Sequence, residues 1–405
     1  MSQPEKLQSK LQQRLEELKI EDKGGDWLKG LVEWLVQELL EHRFSEFVGA
    51  APHERTSERK GYRNGYRARQ LHTRVGTLHL RVPRDREGQF CPEIFERYQR
   101  SEKALVLCLQ EMYLQGVSTR KVRQITEQLC GTAFSKDQVS ACTKQLDEPL
   151  EGWRKRPLEG EYPYLMVDAK YEHVREAGQV RSNSALIVKG VRGDGQREIL
   201  AVEVANTESQ TTWSEVFAAL KQRGLTGVKY VVSDEHGGLV AALERYFQGV
   251  AWQRCQSHYL RNACAKVAAK QRPVLRAELL DAWASPDKAG AQERLQRLIE
   301  RYRAGHPELA DWLEETVEST LTVFELPQEH RKRMKSTNGL ERFNQELERR
   351  TRVVRIFPNR ASYLRLVSAL AMEQSEEWLT GHCYLDMSGS EQEPVGEGVA
   401  FTHSS

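Results

Sequence analysis

YPYLMVDA (162–169) and VKYVVSDEHGGL (228–239) decide how this chain folds. Each opens on a short run rich in β-branched and aromatic residues, the pattern of a buried strand. Each run ends in an aspartate, Asp168 or Asp234. Between them, Ser184–Val191 and Arg197–Ala205 read as two further strands around a Gly193-Asp194-Gly195 turn, and Thr211–Leu220 reads as a helix. Beyond Asp234 come a helix over Gly237–Phe247 and a strand over Val250–Arg254. Three antiparallel strands, then helix, strand, helix and strand, predict one mixed α/β layer over 151–258.

Outward from that layer the strand pattern stops. Residues 259–335 read as amphipathic helices around Ala282, Leu295 and Leu313, a helical insertion in the sheet domain. Residues 336–385 return to the layer with a basic helix over Asn338–Arg350 and a second helix after Pro358-Asn359. The expected fold is therefore an α/β ribonuclease-H-like core with a helical insertion. The tail, 386–405, is rich in Gly, Ser and Glu and is expected to be disordered.

The front of the chain is expected to be mainly helical and to serve DNA binding and dimerisation. In 1–50, Leu7, Leu11, Leu15 and Leu18 fall at helical spacing, Gly24-Gly25 breaks the pattern, and Leu28, Leu31, Leu35 and Leu39 resume it. Within 51–100, Val75, Leu78, Leu80 and Val82 alternate as in a strand. The segment from Lys60 to Arg69 sets Tyr62 and Tyr66 among Arg63, Arg67 and Arg69, which suits stacking and phosphate contact, though a hairpin with a solvated basic face has the same pattern. Within 101–150, helices over Ala104–Leu114, Thr119–Leu129 and Lys136–Leu146 are expected, with Ser118 and Ser135 as caps. The last two have helix-turn-helix proportions, with Arg120 and Lys121 at the start of the first.

Net charge is only +2, but it is segregated. Residues 51–100 hold 12 Lys/Arg against 6 Asp/Glu, and residues 331–360 hold 10 against 3. Two basic islands in an otherwise acidic chain point to two places that meet a polyanion. Arg342, Arg349 and Arg350 are the candidates in the second island. The 7 Cys are odd in number and form no C-x-x-C, which argues against a secreted disulfide scaffold. The start is polar, and no apolar run is long enough to span a membrane. A bacterial cytoplasm, next to the nucleoid, is the expected compartment.

Chemistry enters with the carboxylates. Asp168 and Asp234 close two strands and can meet at one sheet edge, although Asp also commonly caps a turn. Glu341 is the only acidic residue between Arg331 and Asn344. It is expected one turn inside a helix, as a third ligand or simply as a neutralising neighbour of Arg342. Three carboxylates suit Mg²⁺, with Mn²⁺ as substitute, and two such ions can stabilise the attacking and leaving oxygens of a phosphodiester. Cys255 and His258 form a C-x-x-H at the end of the last strand. Zinc, with Cys264 and His236, is one reading; a His258 that assists chemistry beside the carboxylates is the preferred one.

These motifs resemble the Mutator-type transposases of bacterial insertion sequences, of the DDE superfamily. The likeness rests on GYRNGYR (61–67), RYQRSEKAL (97–105), EMYLQGVSTRKV (111–122), YPYLMVDAKYEHVR (162–175), RGLTGVKYVVSDEHGGL (223–239), WQRCQSHYLRN (252–262) and STNGLERFNQE (336–346). The resemblance implies Asp168, Asp234 and Glu341 as catalytic metal ligands and His258 in the family's C-x-x-H. It also implies binding of terminal inverted repeats by the region before residue 150, metal-dependent DNA strand cleavage and transfer into target DNA, and a homodimer or higher assembly on DNA. The alternative is a catalytically inactive or domesticated DNA-binding regulator, which would lose a carboxylate; all three are present.

Overall fold

The structure is a computed structural model that describes residues 13, 27–54, 56–57, 59–90, 92 and 103–388. The leucine pattern expected over 7–18 and the tail after 388 lie outside the described residues, apart from Gln13. Contacts divide the chain into two units, 1–145 and 146–405. Among the described residues no helix is long and apolar enough to cross a membrane.

In the first unit, helix α1 (Trp27–Val48) packs on a hairpin of β1 (Arg63–Thr73) and β2 (Gly76–Asp85). The alternation read from the sequence is the packing: Leu78, Leu80 and Val82 point inward against Leu40. Gln37 of α1 exchanges two hydrogen bonds with the Arg81 backbone, at 2.8 and 2.9 Å, and Glu33 accepts from the His79 N–H. The helix thus satisfies one edge of the hairpin. Helices α2 (Lys103–Leu114), α3 (Thr119–Cys130) and α4 (Lys136–Lys144) share a core of Leu105, Leu109, Val122, Phe134 and Val139. Ser118 caps α3, Gly131 ends it at φ 60°, and Ser135 forms a capping box with Gln138.

The second unit begins with α5 (Asp147–Arg154) and is centred on a five-stranded sheet. Its strands are β3 (Tyr164–Glu176), β4 (Gln179–Val191), β5 (Arg197–Ala205), β6 (Tyr230–Ser233) and β7 (Ala251–Arg254), in spatial order β5-β4-β3-β6-β7. The first three pair antiparallel; β6 and β7 continue parallel to β3. This is the mixed sheet that the element order predicts. Helices α6 (Gln210–Gln222) and α7 (Gly237–Tyr246) cover one face, where Trp213, Phe217, Leu239 and Leu243 meet Leu165, Val167, Leu186 and Val188.

One expectation is corrected. Asp168 does not end a strand, because β3 runs on to Glu176 as a ribbon paired with β4. Only its pairing with β6 stops, at Met166↔Val232. The extension alternates with polar residues because it has solvent on one side, so it lacks the apolar run that marked the buried half. Its free edge is covered further along, where the Arg175 and Phe357 N–H groups bond across to Phe357 and His173.

After β7 come α8 (Gln256–Ala265), α9 (Arg272–Trp283), α10 (Lys288–Arg303), α11 (Pro307–Thr316) and two 3₁₀ turns ending at Glu325. Tyr259 stacks on Trp312 at 4.6 Å, and Gln253, Gln256 and Trp283 all donate to Thr320. The chain returns through α12 (Gln328–Met334), α13 (Asn338–Val354) and α14 (Arg360–Thr380). These cover the second face of the sheet: Tyr164 bonds His330 at 3.0 Å, Tyr230 donates to the Met334 carbonyl and Tyr363 to the Lys170 carbonyl. Buried Arg365 of α14 makes a two-pronged pair with Asp147 of α5, both contacts 2.7 Å.

Past α14, residues 381–388 lie back on the β4–β5 turn, where Tyr384 and Leu385 donate to the Gly195 carbonyl. Gly195 has φ 82°, and a Cβ there would run into the Leu385 carbonyl and come within 2.6 Å of Cys383 Sγ. Gly195→Ala is expected to cost on the order of 1–3 kcal/mol and to release the 381–388 segment. A melting temperature equal to the parent's, with unchanged protease cleavage near 385, would refute this account of the turn.

Candidate active site

The register of the parallel strands builds the site. Met166 stands opposite Val232, and Val232 opposite Gln253. Two residues further along each strand are Asp168, Asp234 and Cys255. They form a row just past the place where the parallel pairing of β3, β6 and β7 stops, with neighbouring strands roughly 4.8 Å apart. The Cys255 N–H still donates to the Ser233 carbonyl at 2.7 Å, so the row keeps the ladder's spacing.

Strand parity turns Asp168 to the same face as Tyr164 and Met166, the face that α13 crosses. There Asn344 donates to Asp168 Oδ2 at 2.8 Å. Lys170 pairs with Glu348 at 3.5 Å, and Thr351 donates to Glu172 at 2.8 Å. Every second residue of β3 thus meets one stripe of α13: Asn344, Glu348, Thr351. One turn earlier the stripe reaches Glu341, an exposed side chain. Three residues before it, Asn338 accepts from Ser257 at 2.8 Å. Glu341 therefore stands between two contacts that tie α13 to the row, at the end of the sheet where β6 stops. Among the described residues, no three His, Cys, Asp or Glu side chains stand close enough to hold one ion.

Charge couples the pair. Burial, with a smaller contribution from Asp234, raises the Asp168 carboxyl to about 6 against the opposing effects of His258, the Ala169 N–H and Asn344. His258 is pushed up to about 9 by its hydrogen bond to Cys255, against burial, with the Cys255, Asp234 and Asp168 charges adding. Its Nδ1 is 3.8 Å from Asp234 Oδ2. Burial pushes the Cys255 thiol up, but His258 and the Thr337 hydroxyl and N–H pull it below its ordinary value. The site thus carries an imidazolium against two carboxyl groups.

The zinc reading finds no support in the geometry. Cys255 and His258 meet, but His236 pairs with Glu208 at 3.6 Å and the Cys264 thiol turns to the Arg272 carbonyl. Two participants escaped the sequence reading. Asn344 touches Asp168 and leaves its own Oδ1 buried without a partner; its spacing of three from Glu341 was the available signal. Arg254, almost fully buried under Tyr259 and Trp312, pairs with Glu235 and so anchors the loop that carries Asp234.

The candidate DNA contacts sort by partner. Arg63 is engaged by Glu41 and Ser45 over the Phe44 ring, and Arg350 is buried between Glu346 and Glu373. Arg349 pairs with Glu346 at 2.7 Å. Tyr66 lies under the Arg81 guanidinium at 4.5 Å. Arg67, Arg120, Lys121 and Arg342 are exposed, and Arg69 is half-buried.

A family model described as "Transposase, Mutator family" matches residues 1–381. The chain is 51% identical over 362 residues to the transposase for insertion sequence element ISRM5 of Rhizobium meliloti, covering 89% of this chain and 91% of that one. It is 43% identical to the transposase for IS406 of Burkholderia multivorans, covering 87% and 92%. It is 42% identical to the transposase for IS256 in transposon Tn4001 of Staphylococcus aureus, covering 87% and 91%. With a family match over almost its whole length, this chain belongs to the Mutator family of transposases.

Proposed function

We propose that the chain is a DDE-type DNA transposase whose sheet domain is a ribonuclease-H-like core. It binds the terminal inverted repeats of its insertion sequence and catalyses divalent-cation-dependent strand cleavage and transfer. One observation carries this reading: Asp168 and Asp234 lie level at the edge where adjacent parallel strands part, both half-buried, and burial together with the Asp234 charge raises the cost of ionising Asp168. The strand order, three antiparallel strands continued by two parallel ones, supports the core assignment.

Asp168, Asp234 and Glu341 would hold Mg²⁺, or Mn²⁺ in its place. The donors are hard carboxylate oxygens, and the orphaned Asn344 Oδ1 offers a neutral oxygen beside them. Bound there, the cation would stabilise charge on the attacking and leaving oxygens of a phosphodiester. The side chains do the rest. Asn344 fixes the Asp168 carboxylate, and Arg254 steadies Glu235 and with it the Asp234 loop. His258, protonated through Cys255, offers its positive charge to the scissile phosphate. No covalent protein nucleophile is needed.

Asp168→Asn, Asp234→Asn and Glu341→Gln are each expected to lower strand cleavage in Mg²⁺ by orders of magnitude, because positioning and charge stabilisation dominate this chemistry. Binding of element-end DNA should persist, and EDTA should abolish cleavage by the parent. His258→Ala should cost about 10²-fold with an unchanged melt. Cleavage at the parent's rate by any of the three carboxylate variants removes that residue from the site.

The front unit would read the ends through its exposed hairpin face and the helix pair α3–α4. Arg67→Gln in the full chain should weaken end binding and lessen the steepness of its salt dependence by about 0.9 per lost phosphate contact. An unchanged slope in a gel-shift titration would exclude Arg67 as a contact.

Two ends must be joined, so the active form is a homodimer or larger. Leu28, Leu35 and Leu39 are 44%, 49% and 44% exposed along one side of α1, a candidate contact. Light scattering with end DNA should give at least two copies per complex. A monomer that still transfers strands would sink this.

A further inference from the structure

Behind the first turn of α13, on the side away from Asp168, the sheet domain opens into a cleft of about 1700 Å³. Its walls come from the β4–β5 turn, α12, the start of α13, the end of α14 and residues 381–388. Arg197, Arg333 and Arg342 line it together with Trp378 and Tyr384. The Arg197 guanidinium lies 4.4 Å from the Trp378 ring centre and 4.3 Å from that of Tyr384; Arg333 lies 4.9 Å from Tyr384. Beneath the floor is Lys189, on the sheet and with no solvent exposure. Its ammonium has Met166 Sδ at 3.4 Å and the Tyr384 ring at 4.2 Å, and a Cβ on Gly339 would collide with it.

Among the described residues, what this cluster lacks is a counter-charge. Burial lowers the Lys189 ammonium well below its ordinary value, and Arg197 and Arg333 lower it further. Burial lowers Arg197 as well, and Arg333 and Arg342 add to that against Tyr384 alone. The acidic residues of the lining, Asp194, Glu329, Glu377 and Asp386, are all exposed. Asp194 already pairs with Arg192, and Asp386 accepts from Ser388. Arg197 and Arg333 gather with Lys189 around the two rings, and Arg342 lines the cleft beside them; these basic groups disfavour one another's charge, and an anion would relieve this.

We propose that this cleft is a DNA-strand subsite: Arg197, Arg333 and Arg342, backed by Lys189, take the phosphodiester backbone of a strand that continues past α13 to the acidic row. This rests on the transposase reading above and adds where the strand lies. Size favours a polymer over a small anion, since small-molecule pockets run about 300–1,000 Å³. Position favours DNA, since Gly339 and Arg342 line the cleft while Asn344, in the next turn of the same helix, bonds Asp168.

The test uses the full-length protein and fluorescent oligothymidylate, a single strand with no duplex groove for the front unit to read. Anisotropy titrations across salt concentrations give the slope of log affinity against log salt. The exposed pair Arg333→Gln/Arg342→Gln should reduce the slope by roughly 1.4, two contacts at about 0.7 each. Arg297→Gln, on the insertion's exposed surface, should not change it. Lys189→Met should weaken binding several-fold and leave the melting temperature equal or higher. A double variant with the parent's slope and affinity overturns the proposal, as does a Lys189→Met protein that melts lower yet binds equally well, which would make the cluster purely structural. The active-site reading fails separately: in that case the carboxylate variants cleave normally while the slope still falls.

Discussion

The pairing of β3, β6 and β7 in parallel is the constraint on which the rest of the second unit depends. Positions equally far past the last paired residues of parallel neighbours fall side by side, even though β3 itself runs on with β4 to Glu176. That geometry forces Asp168 and Asp234 into proximity whether or not their charges favour it. Parallel strands also require crossovers, and α6 and α7 supply them. A helix also starts where each of the last two strands ends: α7 begins three residues after Asp234, and α8 directly after Cys255. Helix N-termini carry partial positive charge, which favours carboxylates placed there. The sheet that creates the repulsion thus delivers part of its compensation, and His258, in the first turn of α8, supplies more.

The helical insertion could have made α13 an unreliable neighbour, since Glu341 lies 87 positions beyond Arg254, the end of β7. The structure removes that dependence at the insertion's neck. Gln256 donates to the Lys335 carbonyl, the Thr337 N–H to Cys255 Sγ, and Ser257 to Asn338. Exit and return are bonded to each other, so the entry angle of α13 is set at the sheet edge and not by the far end of the insertion. Thr320, fully buried, gathers three side-chain donors from β7, α8 and α9 and fixes the insertion to the same neck.

Much of this was legible in the sequence. Apolar runs located all five strands of the central sheet, and Ser118, Ser135 and Asn359 marked helix starts where the structure has them. What escaped depended on partners distant in sequence. The β3–β4 ribbon is half solvated, so it carried no apolar signature. Lys189 sits inside ALIVKGV (185–191), where a lone lysine reads as noise until two rings and Met166 are seen around it. Charge counting marked Arg63 and Arg350 as equals of Arg67, but a count cannot register that Glu41, Glu346 and Glu373 already hold them. Asn344 was hidden for the opposite reason: a neutral side chain adds nothing to a charge map, yet it makes the direct bond to Asp168.

Helix α13 separates two opposite electrostatic environments. Its stripe at Glu341, Asn344 and Glu348 follows β3 on the acidic side, whereas Gly339 and Arg342 open on the cationic cleft, and a helix is only about 10 Å across. The third stripe, Leu340, Phe343 and Leu347, is buried and fixes the rotation of the helix between them. A one-residue slip would turn each stripe by roughly 100° and break the bonds of Asn344 to Asp168 and of Thr351 to Glu172. The apolar stripe therefore does more than attach the helix. It decides which stripe of the helix meets β3, and the bonds at Asn338, Asn344 and Thr351 hold that choice along the helix.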